Sequence, residues 1–300
     1  MAERIAAGEA FVETSWESIL LLLGGGESVK YVVCFSGGHA SAVTAIEAVR
    51  RHGKDNVVLL NHDISSKVEH ADIKRFKREV SGYLDVPITY ANAENFEEMT
   101  PLATIRKLGQ FTCPSNHQVL CTYYLKTKPF HEWLKQNHPA SFDDPCKNIT
   151  ILYGFDKGEE SRMIRRSGVL GAMGYKTDYP IALWGKTIRN TMEMGIKPPK
   201  TYKVFRHANC IGCLKAGMQH WYVTYCLRPD VFSEAKELEQ ELGYSIINEH
   251  YLSDLEERFK DTQAKGVCPN DTENGNAFWA RVSKVIPDQQ NFLPCDCAVL

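Results

Sequence analysis

The chain has 300 residues, 43% apolar and 24% charged, with 35 Lys and Arg against 37 Asp and Glu for a net charge of −2. That balance excludes a disordered polyelectrolyte and gives no global pull toward nucleic acid or an anionic membrane. The longest apolar run, residues 19–23, is too short to span a bilayer, so a cytoplasmic protein without a membrane partner is expected.

Residues 1–28 read as a helical extension ending at Gly24-Gly25-Gly26. Residues 29–35 (VKYVVCF) are nearly all apolar and rich in β-branched side chains, the pattern of a buried strand. Residues 40–51 have helical composition. A second buried strand is predicted at 57–60 (VVLL), a charged amphipathic helix at 68–84 and a third strand at 87–90 (PITY). Residues 122–136 read as a helix despite Pro129, and 149–153 (ITILY) as a fourth strand. A helical stretch is expected after Trp184, then helices at 213–225, 231–242 and, within an irregular tail, 277–282. Strands alternating with helices predict an α/β fold, a mainly parallel twisted sheet with helices on both faces. The expected organisation is one α/β domain over 29–235, with extensions at 1–28 and 236–300.

Between the first strand and its helix stands Ser36-Gly37-Gly38-His39-Ala40-Ser41. Glycines let the backbone turn sharply and approach an anion, and the following helix offers unpaired N–H groups with a positive dipole end. Ser36 and Ser41 add hydroxyls. The loop matches neither the Walker A nor the G-x-G-x-x-G pattern. Other residues can serve such a site. Arg162, Arg165 and Arg166, after the fourth strand, suit bidentate binding of phosphate or sulfate oxygens. Lys126 can act as a point charge, and Asp63, after the second strand, can bind ribose or adenine. His62, Asp63, Glu69 and His70 also cluster, but their spacing matches no standard metal site.

The sequence contains ten cysteines and no secretion signal, which points to reduced thiols and to metal or thiol chemistry. Cys210-Ile211-Gly212-Cys213 is a CxxC, and Cys113 and Cys121 lie far upstream. Thiolate sets of this kind bind zinc or iron–sulfur centres. Cys34, Cys146 and Cys226 read as buried, unliganded cysteines.

SGGxxS after a first strand resembles the signature of the PP-loop superfamily, the adenine nucleotide α-hydrolase-like proteins. Here His39-Ala40 replaces the Lys-Asp that often fills the middle of that loop. Five further segments resemble the phosphoadenosine-phosphosulfate reductase-like branch. They are Cys121-Thr122 with Leu125-Lys126 and Pro129-Phe130; Gly154 with Glu160-Ser161 and Arg165; Tyr179-Pro180-Ile181 with Trp184; Gly195-Ile196 with Pro199 and Tyr202; and Asn209-Cys210-Ile211-Gly212-Cys213. The resemblance implies ATP or a related adenine nucleotide held by Ser36, Gly37, Gly38, His39, Ala40, Ser41, Asp63, Glu160 and Arg162. Mg²⁺ would neutralise the phosphates, and Lys126 and Arg165 would take catalytic roles.

The same resemblance implies a [4Fe-4S] cluster on Cys121, Cys210 and Cys213, with zinc as the alternative. Either Cys113 replaces the ligand lost at Thr122, or the three cysteines alone hold the cluster and leave one iron open. The expected reaction is α-phosphate chemistry with pyrophosphate release, coupled to sulfur transfer onto a nucleic-acid or protein acceptor. Two other readings stay open. One is sulfonucleotide reduction to sulfite by a tail cysteine, Cys295 or Cys297. The other is a non-catalytic nucleotide- or cluster-sensing subunit, and a homo-oligomer or larger complex fits any of the three.

Overall fold

The computed structural model describes residues 30–115, 117–143 and 148–286. The expected 1–28 extension, Cys146, Cys295 and Cys297 lie outside the described residues. Five strands build a parallel sheet: β1 (Tyr31–Cys34), β2 (Val57–Asn61), β3 (Ile88–Tyr90), β4 (Thr150–Leu152) and β5 (Lys176–Asp178), in the order β3-β2-β1-β4-β5. Val32 pairs with Val58 on one side and Ile151 on the other.

Ten α-helices of four residues or more accompany the sheet among the described residues: α1 (His39–His52), α2 (Ala71–Leu84), α3 (Pro101–Leu108), α4 (Lys128–Asn137), α5 (Glu160–Gly171), α6 (Pro180–Leu183), α7 (Met218–Leu227), α8 (Pro229–Leu242), α9 (Leu252–Ala264) and α10 (Gly275–Val285). Successive strand residues face opposite sides, and the apolar pattern of β1 uses both. Val33, Leu59 and Leu152 bury against Ala42 and Ile46 of α1 and Phe76 and Val80 of α2. Val32, Leu60 and Ile151 bury against Phe130 and Leu134 of α4 and Leu170 of α5. The expected α/β fold, helices on both faces of a parallel sheet, is therefore observed. A further apolar cluster joins α3 and α7 to α10 around Trp221, Tyr222, Phe232, Phe259 and Phe278.

Several elements differ from expectation for physical reasons. β5 (KTD) is polar because it is an edge strand, paired only with β4. The helix expected from 213 starts at Met218, because Gly212 turns the chain at φ +73° and residues 213–217 form a turn. A Cβ at Gly212 would come within 2.6 Å of Val231. Between Trp184 and Met218 the chain makes only two 3₁₀ turns, Thr191–Met194, capped reciprocally by Asn190 and Glu193, and Lys200–Lys203. Pro129 is accommodated because the chain enters α4 through a π-helical turn, Tyr123–Thr127, and proline falls in the first turn of α4 itself. The pattern above gives no element over α3 or α9. Yet Thr100 caps α3 by accepting the Ala103 N–H at 3.0 Å, and Leu252, Leu255 and Phe259 form the buried face of α9.

No described helix is long and apolar enough to cross a membrane.

Candidate functional site

The strand order places the site. From β1 the chain moves outward through β2 and β3, then returns to lay β4 against the other side of β1. Loops leaving adjacent strands in opposite directions open a crevice beyond their carboxyl ends. Residues 36–41 leave β1 at this point, and Gly154 leaves β4.

The loop is held tightly. Gly37 adopts φ +80°, and Ser41 Oγ donates to the Gly38 carbonyl at 2.8 Å. Ser36 Oγ donates to Ser41 Oγ at 3.2 Å. Gly38 caps α1 without any side chain supplying an acceptor, so the first amides of the helix depend on groups from elsewhere. One such group is Tyr202, whose hydroxyl accepts the His39 N–H at 2.9 Å. Opposite, Gly154 lies so close that a Cβ there would stand 2.9 Å from the Ala40 carbonyl carbon and oxygen and 3.0 Å from the Ser41 nitrogen.

His39 brings no cation to this loop. Its Nε2 accepts the Thr191 N–H at 3.4 Å, and burial, reinforced by the charge of Lys186, lowers its pKa. The folded value lies below the ordinary 6.5, so the unfolded chain takes up the proton first as pH falls. The stability held by neutral His39 is thus present above about pH 6.5 and lost below it. His39→Gln keeps an acceptor for Thr191 but does not titrate. The stability advantage of the native chain over this variant is expected to shrink between about pH 7.5 and 5.5. Urea unfolding at the two pH values checks this, and a constant difference contradicts it.

Beneath the loop is a buried ionic cluster. Lys77 Nζ lies 3.1 Å from Asp63 Oδ1, 3.2 Å from both Glu69 oxygens and 3.3 Å from Asn61 Oδ1. Lys74 reaches the other Asp63 oxygen at 3.4 Å. Burial raises the Glu69 pKa, against the pull of Lys77. Asp63 therefore faces lysines. The other members of its sequence cluster part company: His62 Nδ1 bonds the Ala91 carbonyl at 2.5 Å, while His70 caps α2.

Beside Gly154, Phe155 lines a pocket of about 330 Å³ with His117, Gln118, Val119, Thr122, Arg162, Arg165, Arg166 and Lys215. Arg162 pairs with Glu159 and stacks 4.2 Å over the Phe155 ring. Arg165, Arg166 and Lys215 have no carboxylate partner among the described residues. Glu160 sits at the start of α5, where its carboxylate accepts the Gly158 N–H at 3.0 Å. Three cations left without counter-ions in one pocket favour an anionic occupant.

Thr122 and Lys215 also connect this pocket to the cysteines. Cys121 is pushed up to about 11, first by burial and then by the nearby Cys210 and Cys213. Burial likewise raises the buried Cys210, opposed by the charge of Lys126. Lys126, half-buried on the π turn, thus lies among the thiols. Cys113 bonds Ser115 Oγ at 3.2 Å within a short loop bridged between Thr112 and Val119. Among the described residues, no three His, Cys, Asp or Glu side chains converge closely enough to hold a metal ion. Cys34 is a partly buried thiol, pushed up to about 12 chiefly by desolvation, beside Tyr153.

Motif reading alone did not single out Lys77, Lys215, His117 or Gln118 for the site. Lys77 did leave a signal: it falls on the apolar stripe of α2, between Phe76 and Val80.

No family model matches the chain, and no curated protein matches it. Among solved structures, the chain is similar to a phosphoadenylyl-sulfate (PAPS) reductase from Candida auris, determined as a phosphate complex. The TM-score is 0.36 at 13% identity, covering 62% of this chain and 82% of that one. At that score the likeness bears no weight on the site, which stands on the geometry of the chain itself.

Proposed function

We propose that the chain is a PP-loop enzyme of the phosphoadenosine-phosphosulfate reductase-like branch, binding ATP or a related adenine nucleotide on residues 36–41. The observation that carries this reading is the loop's position at the crevice between β1 and β4, with Gly154 closing on its backbone and the cationic pocket one residue further on. The amides at the start of α1 meet phosphate oxygens, and Mg²⁺ neutralises the remaining charge. Arg165 and Arg166 take the more distal oxygens, bidentately where the geometry allows. In the reaction a nucleophilic atom of the acceptor attacks the α-phosphate of ATP, the α–β phosphoanhydride bond breaks, and the adenylated acceptor and pyrophosphate are the products.

Cys121, Cys210 and Cys213, with Cys113 as a fourth candidate, are soft donors of the type that would hold a [4Fe-4S] cluster, or zinc as the alternative, once drawn closer together than they stand in the described residues. When bound, an iron–sulfur cluster supplies the sulfur-handling chemistry. Lys126 and Lys215 offset thiolate charge at that end, and the acceptor of sulfur is a nucleic acid or a protein.

Calorimetric titration of the full chain with ATP and Mg²⁺ tests the reading. Binding is expected, and Arg165→Ala and Arg166→Ala are each expected to weaken it by about tenfold or more, the weight of a charge-assisted hydrogen bond. Absence of any heat or thermal shift with ATP overturns it. Anaerobic purification with metal analysis separates the two centres: iron in a brown protein supports the cluster, while stoichiometric zinc without iron replaces it.

Tyr202→Phe removes the hydroxyl that occupies the His39 N–H. Anion affinity, measured with ATP and with inorganic pyrophosphate, is expected to rise by about threefold to tenfold, because one hydrogen bond no longer has to be exchanged. An unchanged or weaker affinity contradicts the placement of phosphate on that amide.

A further inference from the structure

His220 is buried, in the first turn of α7, and stands outside the cationic pocket. Its Nε2 accepts the backbone N–H of Cys213 at 3.3 Å. With that lone pair committed, the ring proton sits on Nδ1, which donates to Asp271 Oδ2 at 3.1 Å. Asp271 lies in the segment before α10, far along the chain from the CxxC. Its own N–H donates to the Val204 carbonyl at 2.7 Å, and Phe205 packs its ring 5.3 Å from the imidazole. The neighbouring Gln219 side chain donates to the Asn270 and Glu273 carbonyls at 2.7 and 3.3 Å, which docks the same segment independently of His220.

A turn such as 213–217, between a glycine at φ +73° and a helix start, leaves amides that need partners. The Cys213 amide has one, and it comes from a ring that a carboxylate orients. We propose that His220 and Asp271 are positioning residues of the thiol centre. Through this relay the segment around Asp271 holds the Cys213 backbone and with it the presentation of the Cys213 thiol. The inference rests on the reading that the Cys210–Cys213 turn is functional. It does not depend on which metal, if any, the turn carries.

The test is pulse alkylation of the full-length chain, reduced and freed of metal by chelation. Iodoacetamide is the probe, and peptide mass spectrometry compares Cys213 with the exposed Cys268 in the same molecule. Asp271→Ala and His220→Phe each break the relay, whereas Asp271→Asn keeps an oxygen that accepts the Nδ1 proton. The expected result is a rise in Cys213 labelling of about fivefold in the first two variants, the weight of one ordinary hydrogen bond. Asp271→Asn is expected to stay near the native rate, with Cys34 and Cys226 unmoved in all three.

Three results overturn the proposal. One is native labelling of Cys213 in both disrupting variants. Another is a parallel rise at Cys34 and Cys226, which marks general loosening. The last is an Asp271→Asn variant as reactive as the alanine. A failure of ATP binding or of metal loading in the native chain tells against the proposed function instead and leaves this readout intact.

Discussion

Gly154→Ala is expected to weaken ATP binding by about tenfold to a hundredfold, with a stability cost of about 1–3 kcal/mol. The added methyl would meet the Ala40 carbonyl and the Ser41 amide at 2.9 to 3.0 Å. These are backbone atoms at the first turn of α1, and no side-chain rotation relieves the contact. Either the turn moves away from β4 or the strand end retreats. Both displace the amides that the proposed phosphate site uses. Calorimetry and urea unfolding on the same preparation separate the two effects. Gly154→Val should exceed alanine in both, and an alanine variant with native affinity would show that the approach of β4 is incidental to binding.

Lys77→Met is expected to cost about 3–5 kcal/mol of stability, the largest effect of any single substitution proposed. The lysine side chain is 2% exposed and its partner Glu69 5% exposed. Methionine keeps most of the stem that underlies Gly37 but removes the charge, leaving Asp63 and the buried Glu69 carboxylate to share Lys74, at 3.4 and 3.9 Å. Glu69→Gln in the same background should recover a substantial part of the loss, because the under-compensated charge goes with it. The coupling read from the double-mutant cycle should reach about 1–3 kcal/mol. Additive losses would mean that Lys77 and Glu69 do not act as a pair. Since the stem persists, nucleotide affinity in the folded fraction should change far less than stability.

The loop was legible because its chemistry is local. A glycine pair between an apolar, β-branched run and a helix can be read from a few residues, and the structure puts that pair beyond the carboxyl end of the central strand of the sheet. Gly154 could be singled out as a residue, but its contact with Ala40 belongs to the pairing of β1 with β4. Lys77 is legible only as a charge standing within the apolar stripe of α2, and nothing local says which carboxylates it meets. Asp63 shows the reverse: its place after β2 suggests a ligand contact, yet the fold sets two lysines against it. β5 was hidden because an edge strand needs little apolar character. The partnership of His220 with Asp271 joins segments with no sequence pattern in common, so only the packing of α7 against the loop before α10 reveals it.

The crevice assembles from pieces far apart in the chain: the loop at 36–41, Gly154, the Thr191 amide and Tyr202. No short peptide carrying SGGHAS reproduces it, because the loop's partners arrive only with the whole sheet and the segment that crosses it. On the proposed reading the unfolded chain offers a nucleotide essentially nothing, and mass action would make the nucleotide a stabiliser of the fold. At a free concentration a hundred times the dissociation constant, that linkage is worth about 2.7 kcal/mol. The same linkage is expected to slow amide hydrogen exchange in β1, β4 and the start of α1 together, tying segments distant in sequence into one cooperative unit.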